Sequence, residues 1–337
     1  MRLFRFLLLP LCLAAAGQAR SFDSEYQLLR TLPADLFQSL TSTTGEPDAN
    51  GLVGAHRKHN AWYAAGKQRS GCWHLIGAVV AGDQARADRA WTSIEATFQR
   101  QIDDGGFLSN PAPNRPRPAT YEERVETAFF YLQELGHALL VVQESPLADH
   151  FRERIETLKP RLRRACAFID GGYGTIVDKV GHTTNRLFIA AKAFGLCGVV
   201  LDDASLKNRA RELVSIALTQ RDGVGVFLEK NGHDSSYNAV SLLMGRVLWL
   251  HLPVDGLDEA LVRAMQWQLT QITPDGEVRK EGNTRTGLGQ ERNFSGGPKG
   301  INYREVSLAL CYHALVHDDP SALALAAKVF SPEKDAS

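Results

Sequence analysis

NRLFIAAKAFGLCGVVLDDASLKNRARELVSIALTQ, residues 185–220, decides the fold. Its first part, 185–200, is apolar on nearly every face of a helix. Its second, 205–220, interleaves Lys207, Arg209, Arg211 and Glu212 with apolar positions. A helix apolar all round is buried, whereas an amphipathic one lies against the core with one face in water. The stretch therefore reads as a hairpin of one inner and one outer helix. The pattern recurs every 50–60 residues or so. Apolar 73–80 precedes amphipathic 85–100, where Ala87, Ala90, Trp91, Ile94 and Phe98 stand near helical spacing. The pairs 121–142 with 148–169, 237–252 with 257–272, and 303–316 with 322–329 follow, and an earlier helix is expected over 25–40. Outer helices end in similar loops: Asp104-Gly105-Gly106-Phe107, Asp170-Gly171-Gly172-Tyr173, Asp222-Gly223 and Asp275-Gly276. Strand signals are few, apart from a short one at Phe227-Leu228. The economical architecture is all-α, an α/α toroid (an incomplete barrel) of about five to six helical hairpins.

Composition narrows the partners. Lys plus Arg and Asp plus Glu each number 38 in 337 residues, so no global field draws in nucleic acid. Any acidic ligand must meet a local basic cluster. Arg2 and Arg5 precede the apolar run 7–16, and Gly17-Gln18-Ala19 offers small residues for cleavage. Residues 1–19 read as a signal peptide, with 20–337 as a single toroid domain that is periplasmic or secreted. The run is shorter than the ~20 apolar residues of a membrane span, and no membrane attachment is expected after cleavage. Cys72, Cys166, Cys197 and Cys311 sit in apolar helices without a Cys-x-x-Cys, which favours buried free thiols. Neither a cofactor nor a metal is called for, and no obligate protein partner is evident.

Three polar clusters carry candidate chemistry. His182-Thr183-Thr184-Asn185-Arg186 opens one apolar helix. Glu229, Lys230, Asn231, Gly232, His233, Asp234, Ser235, Ser236 and Tyr237 lead into another. The long loop 276–302 and the helix after it hold Arg279, Lys280, Arg285, Arg292, Asn293, Lys299, Asn302, Tyr303 and Arg304, against Glu281, Glu291 and Glu305. Arginine presents a planar fork to carboxylate or sulfate, so this cluster reads as a clamp for an acidic polymer. The other long loop, 108–119, holds four prolines and is expected to lie extended over one mouth of the ring. Trp62, Tyr63, Trp73 and Tyr121 could stack on sugars.

Thr184-Asn185-Arg186, Leu201-Asp202-Asp203 and the run from Asp222-Gly223 and Phe227 to Ser236-Tyr237 resemble the helical catalytic domain of hyaluronate and chondroitin AC-type polysaccharide lyases. The resemblance covers about 182–245. It implies that an asparagine, here Asn185, holds a substrate carboxylate, and that a tyrosine, here Tyr237, handles protons with a histidine. The family's histidine position is not matched. The nearest histidine is His233, and the family's large β-sandwich domains are absent. A smaller, toroid-only lyase for a uronate polymer such as alginate or glucuronan is the expected form.

β-Elimination beside a uronate needs the carboxylate neutralised and a base for the adjacent proton. Tyr237, His233, Asn185, His182 and Arg292 are the expected catalytic residues. Arg186, Glu229, Lys230, Asp234, Trp73, Tyr121, Lys299, Tyr303 and Arg304 are expected to bind the acidic polysaccharide. Tyrosine, with an unperturbed pKa of ~10, needs neighbouring cations to act as a base. The rival is an inverting glycoside hydrolase, which requires two carboxyl groups ~6.5–9.5 Å apart, with Asp234 or Glu229 facing Glu122, Glu123 or Glu126. A non-catalytic glycan-binding protein is a further alternative.

Overall fold

The computed structural model describes residues 24–287, 289–292 and 296–330. The expected signal peptide lies outside the described residues. Fourteen helical segments follow in order: α1 (Glu25–Leu29), α2 (Ala34–Thr41), α3 (Gly54–His59), α4 (Arg69–Ala81), α5 (Gln84–Phe98), α6 (Tyr121–Gln143), α7 (Ala148–Gly171), α8 (Tyr173–Thr175), α9 (Thr184–Val200), α10 (Ala204–Thr219), α11 (Ser235–His251), α12 (Leu257–Thr270), α13 (Tyr303–His317) and α14 (Pro320–Val329). A 3₁₀ turn, Ala65–Gln68, leads into α4, and a π turn, Ile176–Val180, follows α8.

The chain is an all-α toroid. Five hairpins, α4/α5, α6/α7, α9/α10, α11/α12 and α13/α14, build it. The inner helices pack in chain order, α4 on α6, α6 on α9, α9 on α11 and α11 on α13. Burial explains the two layers. Residues 187–198 of α9 are buried throughout, whereas α10 buries only Leu206, Ala210, Leu213, Val214 and Ala217. At Gly136 a Cβ would stand 2.9 Å from Leu196 Cβ and 3.0 Å from the Cys197 amide, so glycine lets α6 and α9 approach. Cys72, Cys166, Cys197 and Cys311 are buried free thiols.

The loops ending α5, α10 and α12 share one closure. Isolated bridges join Gln101 to Phe107, Arg221 to Phe227 and Ile272 to Val278. The Asp-Gly loop after α7 departs from it and runs directly into α8. Phe227 makes such an isolated bridge, and the short strand expected at Phe227-Leu228 does not form. The expected helix over 25–40 is two helices, because Pro33 lacks an amide hydrogen and forces the preceding residue out of the helical region. Helix α4 begins four residues before the expected start.

Short α1 plugs the ring floor. Glu25, fully buried, accepts from His137 Nε2 (2.8 Å) in α6, from His251 Nε2 (2.6 Å) in α11 and from the Tyr312 hydroxyl in α13. The seam between α13 and α4 is spanned by α2, whose Leu40 carbonyl accepts from Arg304 Nε at 2.6 Å. No helix among the described residues is long and apolar enough to cross a membrane.

Candidate active site

The inner helices α4, α6, α9, α11 and α13 begin at one mouth of the ring, where a cavity of about 370 Å³ opens. Asn185 enters it from the first turn of α9 and Tyr237 from the first turn of α11. Asp234 fixes the start of α11 by accepting from the amides of Ser236 (3.1 Å) and Tyr237 (3.0 Å). Its other oxygen accepts from the amides of Arg285 and Thr286, both at 2.9 Å. One buried carboxylate thus sets the entry of α11 and brings the long loop beside it.

Arg285 is the hub. Its Nη1 donates to Asn185 Oδ1 (3.0 Å) and to Glu229 Oε2 (2.6 Å), and its Nε donates to Glu291 Oε1 (3.1 Å). Its guanidinium carbon lies 3.7 Å from the centre of the Tyr237 ring, with Lys299 Nζ at 5.3 Å. Glu229 also accepts from the Asn185 amide at 2.7 Å. Burial pushes the Glu229 carboxyl up to about 7, against the opposing pull of Arg285. Burial also opposes charge on Glu291, but Lys230, Lys299 and Arg285 surround it and hold it well below the usual carboxylate range. With Asn185 Oδ1 committed to Arg285, its Nδ2 is left to donate to a ligand. The Tyr237 hydroxyl makes no hydrogen bond among the described residues.

The remaining walls come from α4, α6 and α13. Arg304 lies over Trp73, 4.6 Å from the ring centre, and Arg186 pairs with Glu126 at 3.2 Å. Glu134 is held ionised at the floor. Burial disfavours its charge, but Lys192 Nζ at 2.9 Å and His137 Nδ1 at 3.2 Å outweigh that and place it well below the usual range. Cationic Arg69, Arg186, Arg285, Lys299 and Arg304 thus face the acidic Glu134 and Glu305.

Of the residues expected from sequence, Tyr237, Asn185, Arg186, Trp73, Lys299 and Arg304 meet at this cavity. Glu229 lies fully buried beneath Asn185 and Arg285, Lys230 pairs with Glu291, and Asp234 caps α11. Five others do not line it. His182 is exposed in the loop before α9, where its carbonyl accepts from the Lys230 amide at 3.3 Å. His233 turns toward the outer layer, bonding Asp222 at 2.7 Å and meeting Trp267 edge-on at 5.2 Å. Arg292 is exposed and donates to the Gly296 carbonyl. Tyr121 packs edge-on against Phe168, and Tyr303 points its hydroxyl at Glu277, 2.8 Å away. No described histidine lines the cavity. Asn302 and Glu305 of the third cluster also line it, and so do Arg69 and Glu134, which belong to none of the three clusters. Arg69 opens an apolar helix just as Asn185 does, and that signal was available. Among the described residues no three His, Cys, Asp or Glu side chains are grouped to hold a metal ion.

No protein-family model matches the chain, and no curated protein does. Among solved structures, it is similar to a polysaccharide lyase (TM-score 0.50, 12% identity, covering 88% of this chain and 45% of that one). It is also similar to the Streptomyces coelicolor A3 chondroitin AC lyase (0.48, 15%, 88% and 40%). A third is a possible member of the GH105 family from Salmonella enterica subsp. enterica serovar Paratyphi A (0.48, 11%, 93% and 100%). The chain thus spans less than half the length of the two lyases. At these identities the likeness is one of fold.

Proposed function

We propose that this protein is a polysaccharide lyase that cleaves a uronate-containing chain by β-elimination. The observation that carries the reading is the Arg285 guanidinium stacked on Tyr237 and bonded to Asn185 at a cationic cavity. A polysaccharide lyase sharing the fold supports it. In the proposed reaction Asn185 Nδ2 and Arg285 receive the uronate carboxylate and stabilise the charge that spreads into it as the adjacent C–H breaks. The Tyr237 oxygen, with Arg285 and Lys299 over its ring, takes that proton. The electron pair forms the C4=C5 double bond and the C4–O bond to the next sugar breaks. Tyr237 then passes that proton to the leaving oxygen, which readies it for the next cycle. With His233 and His182 turned away, proton transfer rests on Tyr237. Export through the leader 1–19 belongs to the same proposal and would bring the protein to such polymers.

The hydrolase arrangement finds less support. Asp234 is consumed in capping, and Glu229 is sealed from the cavity. Glu134, which does line it, is held ionised and cannot serve as the protonated acid that inversion requires.

The test is incubation with alginate, glucuronan, hyaluronan and chondroitin while the ultraviolet absorbance of the unsaturated uronate is followed. The wild type should raise the signal on at least one polymer, and Tyr237→Phe should lower that rate by roughly 10²–10⁴-fold without unfolding. New reducing ends without absorbance would sink the proposal in favour of hydrolysis.

A further inference from the structure

The cavity at Tyr237 changes character with depth. Its cations stand at the mouth, Arg69, Arg186 and Arg304 in the first turns of α4, α9 and α13, and Arg285 and Lys299 on the long loop. Further in, Ile189 lies one turn beyond Asn185, and Val240 and Met244 lie one and two turns beyond Tyr237. Helix α6 adds two polar residues to this apolar lining, Gln133 and Glu134, which are 2% and 3% exposed. The Gln133 Nε2 donates to the Phe130 carbonyl of its own helix at 3.4 Å. Its Oε1 is buried and has no hydrogen-bond partner among the described residues. An amide oxygen left so costs free energy that a donor in the cavity would recover. Glu134 commits one oxygen to the protein, since Lys192 Nζ and His137 Nδ1 both fall on Oε2. That leaves Oε1 for the cavity the residue lines. A carboxylate oxygen and an amide oxygen side by side call for O–H donors and disfavour an anion.

We infer that Gln133 and Glu134 are specificity-determining residues, which accept from hydroxyls of the sugar whose carboxylate meets Asn185 and Arg285. This rests on the lyase reading of the cavity. A 4-linked uronate carries its acid on C5 and its free hydroxyls on C2 and C3, across the ring. The mouth takes the acid and the inner oxygens take the hydroxyls, so one unit satisfies both. The substrate class is therefore a polymer whose uronates are unmodified at C2 and C3. An O-acetyl group there removes a donor and leaves a buried acceptor unpaired, and an O-sulfate also sets an anion against Glu134. A site built to hydrogen-bond a hydroxyl rejects the analogue that lacks it.

Calorimetric titration of the whole protein tests this, with alginate, glucuronan and hyaluronan each free and chemically O-acetylated. Acetylation leaves the carboxylates untouched, so the mouth meets the same anion. The wild type should bind a free polymer roughly 10–100-fold more tightly than its acetylated form. Gln133→Leu should keep or raise the stability to urea, because it removes an unpaired oxygen, and should lower that preference roughly three- to tenfold by weakening the free polymer. Gln133→Ala takes its place should Gln133→Leu not fold. Equal binding of free and acetylated polymers by the wild type overturns the inference, as does failure to bind any of them. So does an unchanged preference in the variant, which would give the Gln133 oxygen to a bound water. A preference that depends on Gln133, without unsaturated product, would instead remove the lyase reading and leave the hydroxyl subsite standing.

Discussion

Glu229 shows how one buried residue sets the pH range of the cavity. Its carboxyl sits near 7, above the ordinary 4.5, so below that point it is neutral and Arg285 keeps its full charge for a substrate carboxylate. Above it, ionised Glu229 neutralises part of that charge. The same shift contributes stability that is complete below about 4.5 and is lost as pH rises toward 7. Affinity for a uronate polymer should therefore fall as pH rises through about 7, and Glu229→Gln should remove that limb. A KM-against-pH profile checks this, and a limb that survives in the variant would refute it. The sequence marked Asn185, Arg186 and Tyr237 because they open apolar helices. It could not orient neighbours, since each helical step turns a side chain by roughly 100°. Tyr303 thus reaches Glu277 while Arg304 covers Trp73. Glu134 gave no signal at all, because Lys192, the cation that makes it tolerable in an apolar helix, lies 58 residues away.

At the scale of elements, the hairpins were legible because inner and outer helices differ in how far apolar character runs around the wheel. Short α1 and α3 span too few turns to show a period, and the role of α1 depends on one side chain. Burial opposes charge on Glu25, but His137 and His251 outweigh it and place it well below the usual carboxylate range. His137 is likewise disfavoured by burial and is raised on balance by Glu25 and Glu134. The signs differ. The depressed carboxyl contributes stability present above its unfolded value of about 4.5 and lost as pH falls. The raised imidazole contributes stability present below about 6.5 and lost as pH rises past its folded value. Docking of α1 should therefore be firmest in mildly acidic solution. Glu25→Gln leaves His137 and His251 without their shared carboxylate, and should cost ~3 kcal/mol. Urea unfolding measures the loss, and amide exchange over 25–32 locates it. Unchanged exchange there would show that α1 is held by packing alone.

The whole ring depends on its seam, where α13 meets α4 through α2 rather than by direct helix packing. The segment after α2 contributes Thr43 and Thr44 to the cavity, so whatever fixes α2 also shapes the site. Arg86, on the outer helix α5, supplies that anchor. Its guanidinium donates to Gln38 Oε1 (2.6 Å), Ser42 Oγ (2.8 Å) and Glu46 Oε1 (2.7 Å), three groups that no local pattern joins to it. Arg304 completes the closure from the other side by donating to the Leu40 carbonyl and covering Trp73. Removing Arg86 strands several polar partners at once, and Arg86→Ala should destabilise the fold by ~2–3 kcal/mol. It should also weaken substrate binding, although Arg86 lies outside the cavity. Arg86→Lys should recover only part of this, because an ammonium restores the charge opposite Glu46 without the fork that holds Gln38 and Ser42 together. Amide exchange across 38–46 separates the explanations. Faster exchange there, with the remaining inner helices protected, is expected of a loosened seam. Lost stability with exchange in 38–46 unchanged would mean that Arg86 braces α5 and not the ring's closure.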